Sequence, residues 1–248
     1  MDSQFSDIVP RPRRGFDPGD NDLFTGAGLA RMGEAQDDLQ WLLDRSYAKP
    51  GALDLVSRHY QLDSRQTMAL LRSTDPTSRY LARGDKQADP SELKDRQVLV
   101  DGLNQIILLE VALSRSPVFL GRDGVFRDLA GLRGTYRLIP QTDQAIDLIL
   151  GQLDQGPVEF VHFFLDAPVS NSGRLKSRIL ERALHFKTPV TVELVSNADA
   201  CLSGQDAIVS GDSVVLDSCH SWFNLARIII ENQIPAAWII DLSGPAKT

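Results

Sequence analysis

Val98-Leu-Val-Asp101, His162-Phe-Phe-Leu-Asp166 and Ala207-Ile-Val-Ser-Gly-Asp212 share one rhythm, a short apolar run that stops on an aspartate. Between the first two lie a helical pattern through Ile106, Ile107, Leu109 and Leu113 and an amphipathic helix over 143–153. Beyond the second, residues 173–185 return to helical spacing and 190–195 read as a strand. Residues 222–231 then read as helix and 237–242 as a last strand. Strands separated by helical stretches need parallel crossovers, so the pattern predicts an α/β fold: a doubly wound, mainly parallel sheet with helices on both faces. Sites in such sheets form in the crevice beyond the carboxyl ends of the strands. Asp101, Asp166 and Asp212 are therefore expected on one edge.

Residues 1–96 differ in texture from residues 97–248: they carry short, charge-rich helical segments and no apolar strand runs. Leu29, Met32, Leu39, Leu42 and Leu43 mark one helix. Pro50 suits the first turn of a second through Leu53, Val56 and Tyr60. Asp63 and Gln66 have the spacing of a capping box that opens a third, through Met68, Leu70 and Leu71. Helix, short turn and helix outline a helix-turn-helix-like unit, which either reads nucleic acid or only packs. Arg83-Gly-Asp-Lys-Gln-Ala-Asp-Pro90, polar and punctuated, is the expected linker between a small all-helical N-terminal domain (1–96) and the α/β domain (97–248).

The 248 residues hold 33 acidic against 26 basic side chains, a formal charge of −7, which excludes a protein that coats nucleic acid by bulk charge. No apolar run approaches the ~18 residues of a membrane span, and the N-terminal stretch lacks a signal-type apolar core. Cys201 and Cys219 lack metal-ligand spacing and read as reduced thiols, so a cytoplasmic location is expected. Neither G-x-G-x-x-G nor G-x-x-x-x-G-K-[ST] occurs, which removes support for dinucleotide or P-loop chemistry. His162 in its apolar strand reads as a hydrogen-bonded core histidine, and Cys219 beside His220 lacks the orienting group of a nucleophile pair.

Three carboxylates brought together repel and raise one another's pKa values. A hard divalent cation, Mg²⁺ or Mn²⁺, relieves that repulsion, activates water and stabilises charge on a phosphodiester. An aspartate at a strand end also caps the next helix, and that simpler role stays open for each of the three.

Asp101-Gly-Leu-Asn104 after one strand, Phe164-Leu-Asp166 at the end of another and Ser210-Gly-Asp-Ser213 after a third resemble the PIN-like nuclease superfamily, above all its NYN branch. The resemblance covers about residues 97–242. It implies a metal-dependent nuclease with RNA as the usual substrate, with Asp101, Asp166 and Asp212 as metal ligands. It further implies that Asn104 orients Asp101 or a metal-bound water, and that Ser210 supports the Asp212 turn. Val214 stands where the related segment carries a further acid, for which Asp217 or Asp206 would have to substitute. The whole chain also resembles the family "domain of unknown function 434". That likeness rests on Arg14-Gly-Phe-Asp-Pro18, Tyr60-Gln-Leu with Arg65-Gln66, Gly121-Arg-Asp-Gly124 and Pro168-Val-Ser-Asn-Ser-Gly-Arg174.

Two of these stretches suggest phosphate contacts. Ser170, Asn171 and Ser172 precede a helical run, where backbone N–H groups, hydroxyls and Arg174 suit a phosphate or simply cap the helix. Arg122 opens a group with Arg127, Arg133 and Arg137, and Arg115 lies just upstream. Arg174, Lys176, Arg178 and Arg182 form a second group, part of it a solvated face. The expectation is a Mg²⁺- or Mn²⁺-dependent nuclease acting on RNA. The alternatives are a catalytically weak or inactive PIN-like protein that binds nucleic acid, and a protein-interaction scaffold.

Overall fold

The computed structural model describes residues 13–131, 134–156 and 158–244; Arg133 of the arginine group lies outside them. Five helices come first: α1 (Asp20–Leu23), α2 (Gly26–Leu43), α3 (Lys49–His59), α4 (Ser64–Ser73) and α5 (Thr77–Gly84). In α2 the buried Met32, Ala35, Leu39 and Leu43 recur at the helical period. Pro50 sits in the first turn of α3. The cap of α4 is reciprocal: the Asp63 carboxylate accepts from the Arg65 amide at 2.7 Å, while the Asp63 amide donates to Gln66 Oε1 at 3.1 Å.

The chain continues through β1 (Gln97–Asp101), α6 (Gly102–Leu113), β2 (Pro117–Leu120), β3 (Phe126–Arg127), α7 (Pro140–Asp154) and β4 (Phe160–Asp166). It ends with α8 (Ser172–Ala183), β5 (Val190–Val195), α9 (Ala198–Leu202), β6 (Ile208–Val209), α10 (Ser213–Ser218), α11 (Leu225–Gln233) and β7 (Trp238–Asp241). The central sheet is wholly parallel in the order β5-β4-β1-β6. Gly102 is required where α6 leaves β1, because a Cβ there would come within 2.6 Å of Leu165 on β4.

Three expectations need correction. A second, three-stranded sheet exists, β3-β2-β7, and the last strand belongs to it, paired parallel with β2 rather than with the central sheet. Pro117–Leu120, between Arg115 and Arg122 of the arginine group, are all buried and form a core strand that the sequence pattern did not predict. The last helix starts at Leu225, leaving Trp222 fully buried ahead of it.

A further correction concerns the expected linker. Arg83 is fully buried, the Trp222 indole donates to the Arg83 carbonyl at 2.7 Å, and the Ala88 amide donates to the Trp222 carbonyl at 2.7 Å. Lys86 donates to the carbonyls of Leu216, Asp217 and Cys219. This segment is stapled to the α/β part instead of spanning solvent. The N-terminal helices also share a core with the second sheet: Phe24, Met32, Leu39 and Leu70 cluster with Phe119, Ile240 and Leu242. Phe24 meets Phe119 edge-to-face at 4.9 Å.

At this seam Arg83 is surrounded by carboxylates. Its guanidinium meets Asp75 at 2.9 Å, Asp123 at 2.7 Å and Asp217 at 2.7 Å. Lys49 reaches Asp75 at 2.7 Å, and Arg127 reaches Asp123 at 2.6 Å. Burial alone would push Asp123 and Asp75 up. Arg127 and Arg83 at Asp123, and Lys49 and Arg83 at Asp75, outweigh it and hold both below the usual carboxylate range. Gly121 makes room for this, since a Cβ there would lie 2.8 Å from the Arg127 guanidinium and 2.9 Å from the Asp123 carboxylate.

Removing the cation from a buried ion group leaves uncompensated charge, so Arg83→Met is expected to destabilise the fold by about 3–5 kcal/mol. Arg58→Ala, which breaks an exposed pair with Asp54, is expected to cost at most about 0.5 kcal/mol. Urea unfolding of the two variants checks both, and equal midpoints would refute the role given to Arg83.

Candidate functional site

β1, β4 and β6 deliver Asp101, Asp166 and the Ser210-Gly211-Asp212 turn to the carboxyl edge of the central sheet. Two motifs interlock there. The Ser210 hydroxyl donates to Asp101 Oδ2 at 2.8 Å, and the Asn104 side-chain oxygen accepts from the Gly211 amide at 2.8 Å. The Asp212 amide in turn donates to the Ser210 hydroxyl at 3.1 Å. Asn104 thus fixes the turn that carries Asp212, rather than orienting Asp101 through its side chain.

Each aspartate also serves a backbone amide. Asp101 accepts from Asn104 at 3.4 Å, Asp166 from Ala198 at 2.8 Å, and Asp212 from Val214 at 2.7 Å. The capping role holds for Asp101 on α6 and Asp212 on α10, whereas Asp166 leaves α8 uncapped and instead accepts from the first residue of α9. These bonds occupy one oxygen of Asp166 and of Asp212 and leave the other without a hydrogen bond among the described residues. Asp166 also positions α9, whose Asp199 sequence reasoning missed.

Electrostatics ties these groups together. Asp101 is buried, and burial, with the charges of Asp199 and Asp212 added, pushes it up to about 7 against the hydrogen bond from Ser210. Burial, then Asp212 and Asp166, also push Asp199 up. The charges bearing on Asp101 and Asp199 are those of neighbouring carboxylates, with no protein cation among the causes. A donor set of this kind fits a hard divalent cation by its chemistry. As the side chains stand, no three His, Cys, Asp or Glu among the described residues are grouped closely enough to hold an ion.

The other expected residues are dispersed. Asp217 is held by Arg79 and Arg83, and Asp206 by Ser221 and Arg96, so neither stands in for the acid absent at Val214. Arg122 pairs with Asp37 on α2. Arg178 binds Asp143 and Glu181, and Arg182 binds Asp147, which clamps α8 onto α7 and removes both from a phosphate role. Arg174 is exposed. In the loop before α8, the Ser170 amide donates to Gly134, the Asn171 amide group to the Tyr136 carbonyl and the Ser172 hydroxyl to Ala167. That loop therefore holds residues 134–136 in place. His162 pairs with Thr191 at 2.8 Å, but it lies on the half-exposed face of β4 rather than in the core.

On the other side of Asp212 lies a cleft of about 420 Å³, bounded by α3, α4, α6, β3 and the 211–213 turn. Lys49, Arg72 and Arg127 line it beside Asn104 and Asp212. Of these cations, only Arg127 belonged to an expected group. In the helix-turn-helix-like pair, α4 turns Arg65 onto Asp20 and Arg72 onto the Asp128 carbonyl. No helix of the described residues is long and apolar enough to cross a membrane.

Comparison with known proteins gives two family matches. Residues 90–228 match the model described as "Domain of unknown function (DUF5616)", more than half of the chain. Residues 31–86 match "Protein of unknown function (DUF434)", a narrower span than the whole-chain likeness. "Uncharacterized protein MJ0935" of Methanocaldococcus jannaschii is 30% identical over 185 residues, covering 75% of this chain and 88% of that protein. No solved structure matches.

The raised Asp101 pKa has a thermodynamic sign. Its folded value, about 7, exceeds the unfolded value of ~3.9, so the folded state binds more protons between them and stability falls as pH rises through that window. The loss is on the order of 3–4 kcal/mol at ~1.4 kcal/mol per unit. Without divalent ions, Asp101→Asn is expected to be more stable than wild type at pH 8 and closely similar at pH 4.5. Urea midpoints measured across that range check it, and a wild-type penalty that does not grow with pH would contradict it.

Proposed function

The chain belongs to the family described as Domain of unknown function (DUF5616), a premise that sets the architecture but no chemistry; from the crevice itself we propose a divalent-metal-dependent nuclease acting on RNA. One observation carries it: at one edge of a parallel sheet the charges of Asp199 and Asp212 bear on the buried Asp101, and those of Asp212 and Asp166 on Asp199, with no cation of the protein's own among the causes. Structural carboxylates elsewhere in this chain are treated differently, as Asp75 and Asp123 are each neutralised by two basic groups.

Asp101, Asp199 and Asp212, with Asp166, are the residues that would hold Mg²⁺ or Mn²⁺. When bound, such an ion lowers the pKa of coordinated water and stabilises charge developing on phosphorus. The protein supplies the rest. Ser210 holds Asp101 Oδ2, Asn104 holds the amide of Gly211, and Ala198 holds Asp166, so the carboxylates cannot rotate freely. Asp101, pushed up to about 7 by burial and by the charges of Asp199 and Asp212, would give up its proton to hold the ion. The PIN-like and NYN likeness of the three motifs agrees with this chemistry, and it is from that likeness that RNA is named as the substrate class.

A second reading is favoured by Val214, which is 67% exposed where the related segment carries an acid. On that reading the protein binds RNA without cleaving it, or cleaves it weakly. Incubation of labelled single-stranded RNA with Mn²⁺ separates the two. Cleavage by wild type, abolished by chelator and reduced at least ~100-fold in Asp101→Asn and Asp199→Asn, is expected, since even groups that only orient metal ligands cost ~10–100-fold. Equal rates in wild type and Asp101→Asn would sink the nuclease proposal. Binding without cleavage would favour the second reading.

A further inference from the structure

The carboxylates occupy one side of the Asp212 turn; the cleft of about 420 Å³ occupies the other, and its outer wall is made by the N-terminal helices. That volume falls within the ~300–1,000 Å³ of small-ligand sites. We propose that this cleft is a nucleotide subsite of the nuclease, in which Lys49 of α3 and Arg72 of α4 receive a backbone phosphate next to the cleaved bond. The inference rests on the nuclease proposal and adds to it a role for the helical segment.

The charges of the lining favour an anion. Three basic side chains, Lys49, Arg72 and Arg127, line the cleft against two acidic ones, Asp128 and Asp212. Burial pushes the Asp128 carboxyl up, so the acid nearest Arg72 gives up its charge more readily than an ordinary aspartate. Arg127 is spent internally on Asp123 and on the Ser213 hydroxyl. Lys49 and Arg72 are paired too, with Asp75 and Asp128, but each keeps N–H donors without a partner among the described residues. Lys49 donates one bond, to Asp75, and its side chain is 26% exposed. Arg72 gives Nη1 to the Asp128 carbonyl at 2.6 Å, its contact with the Asp128 carboxylate is a long 3.7 Å, and its side chain is 38% exposed.

Its Nε and Nη2 make no hydrogen bond among the described residues and can take a phosphate in the planar fork. Asn104 adds its Nδ2, also without a partner among the described residues, next to the turn that bears Asp212. Leu71 contributes apolar surface along the same wall. Asp212, which lines the cleft, also belongs to the carboxylate group, so the basic wall and the acidic crevice meet at this turn.

The probe is a fluorescein-labelled octauridylate, followed by anisotropy over a KCl series with chelator present, so that no divalent ion contributes. Wild type is expected to bind. Lys49→Gln and Arg72→Gln are each expected to weaken binding about tenfold, as loss of a charge-assisted hydrogen bond does. The double variant is expected to lower the slope of log K against log salt by about 1.4, at ~0.7 per single-strand phosphate contact. Arg72→Lys keeps the charge and is expected to keep the slope.

Thermal unfolding with Mn²⁺ reports the carboxylate side separately, and its Mn²⁺-dependent shift is expected to be the same in wild type and Arg72→Gln. If wild type binds and the double variant binds equally with the same slope, the subsite is overturned while the nuclease proposal stands. If wild type does not bind octauridylate even at low salt, the subsite is likewise overturned. If inorganic phosphate competes at millimolar concentration as well as octauridylate does at equal phosphate, the cleft is a free-phosphate site and the strand assignment fails.

Discussion

A guanidinium buried among three carboxylates is the constraint on which the rest of this molecule depends. Taking Arg83 out of water costs several kcal/mol after relaxation, and only close pairing on several sides offsets it. The pairing comes from four places: the α4–α5 connection gives Asp75, the β2–β3 turn gives Asp123, α10 gives Asp217, and α5 gives the arginine itself. These elements cannot separate without exposing an ion to an apolar interior. Because α10 begins at the Asp212 turn and ends near the clamp, the position of a crevice carboxylate is set partly from the helical segment. The same clamp, through Lys49 on Asp75 and Arg127 on Asp123, fixes two of the cations that line the cleft.

Within this chain, carboxylates meet two opposite fates. At the seam each buried aspartate has more than one cation and is held ionised. At the carboxyl edge of the central sheet the carboxylates have hydroxyls and amides but no cation, and Asp101 is pushed toward neutrality. Stability alone does not explain the second arrangement, since an apolar or amide side chain at position 101 would avoid it. The proposed cation would relieve it. The net charge of −7 is not spread evenly, since several of its carboxylates gather at this edge while Lys49 and Arg72 line the cleft beside Asp212.

Much of this was legible in the sequence, and the exceptions share a cause. The strands β1 and β4, the cap of α4 and the meeting of Asp101, Asn104, Ser210 and Asp212 follow from local patterns: apolar runs, capping residues and turn chemistry. What was missed depends on partners distant in sequence. Pro117–Leu120 has too few residues to announce a strand and gains its identity from pairing with β3 and with the distant β7. Arg83 reads as part of a polar connection because the carboxylates that bury it lie 8, 40 and 134 positions away. Arg122 looked free for phosphate, but Asp37, 85 positions off, claims it. Asp199 carried a usable signal, since Asn197-Ala198-Asp199 directly follows the apolar strand Val190–Val195, a fourth instance of the strand-then-acid rhythm. It sits inside a short helix rather than on the strand's last residue, which hid it.

Calorimetric titration with Mn²⁺ near pH 7 tests the central claim most directly. Wild type is expected to bind near-stoichiometrically and to release protons, seen as a heat that varies with the ionisation enthalpy of the buffer, because a ligand with its pKa near 7 must deprotonate. Asp101→Asn is expected to bind far more weakly and without that buffer dependence. Absence of Mn²⁺ binding by folded wild type, or identical binding by Asp101→Asn, would contradict the assignment of this carboxylate group as a metal centre.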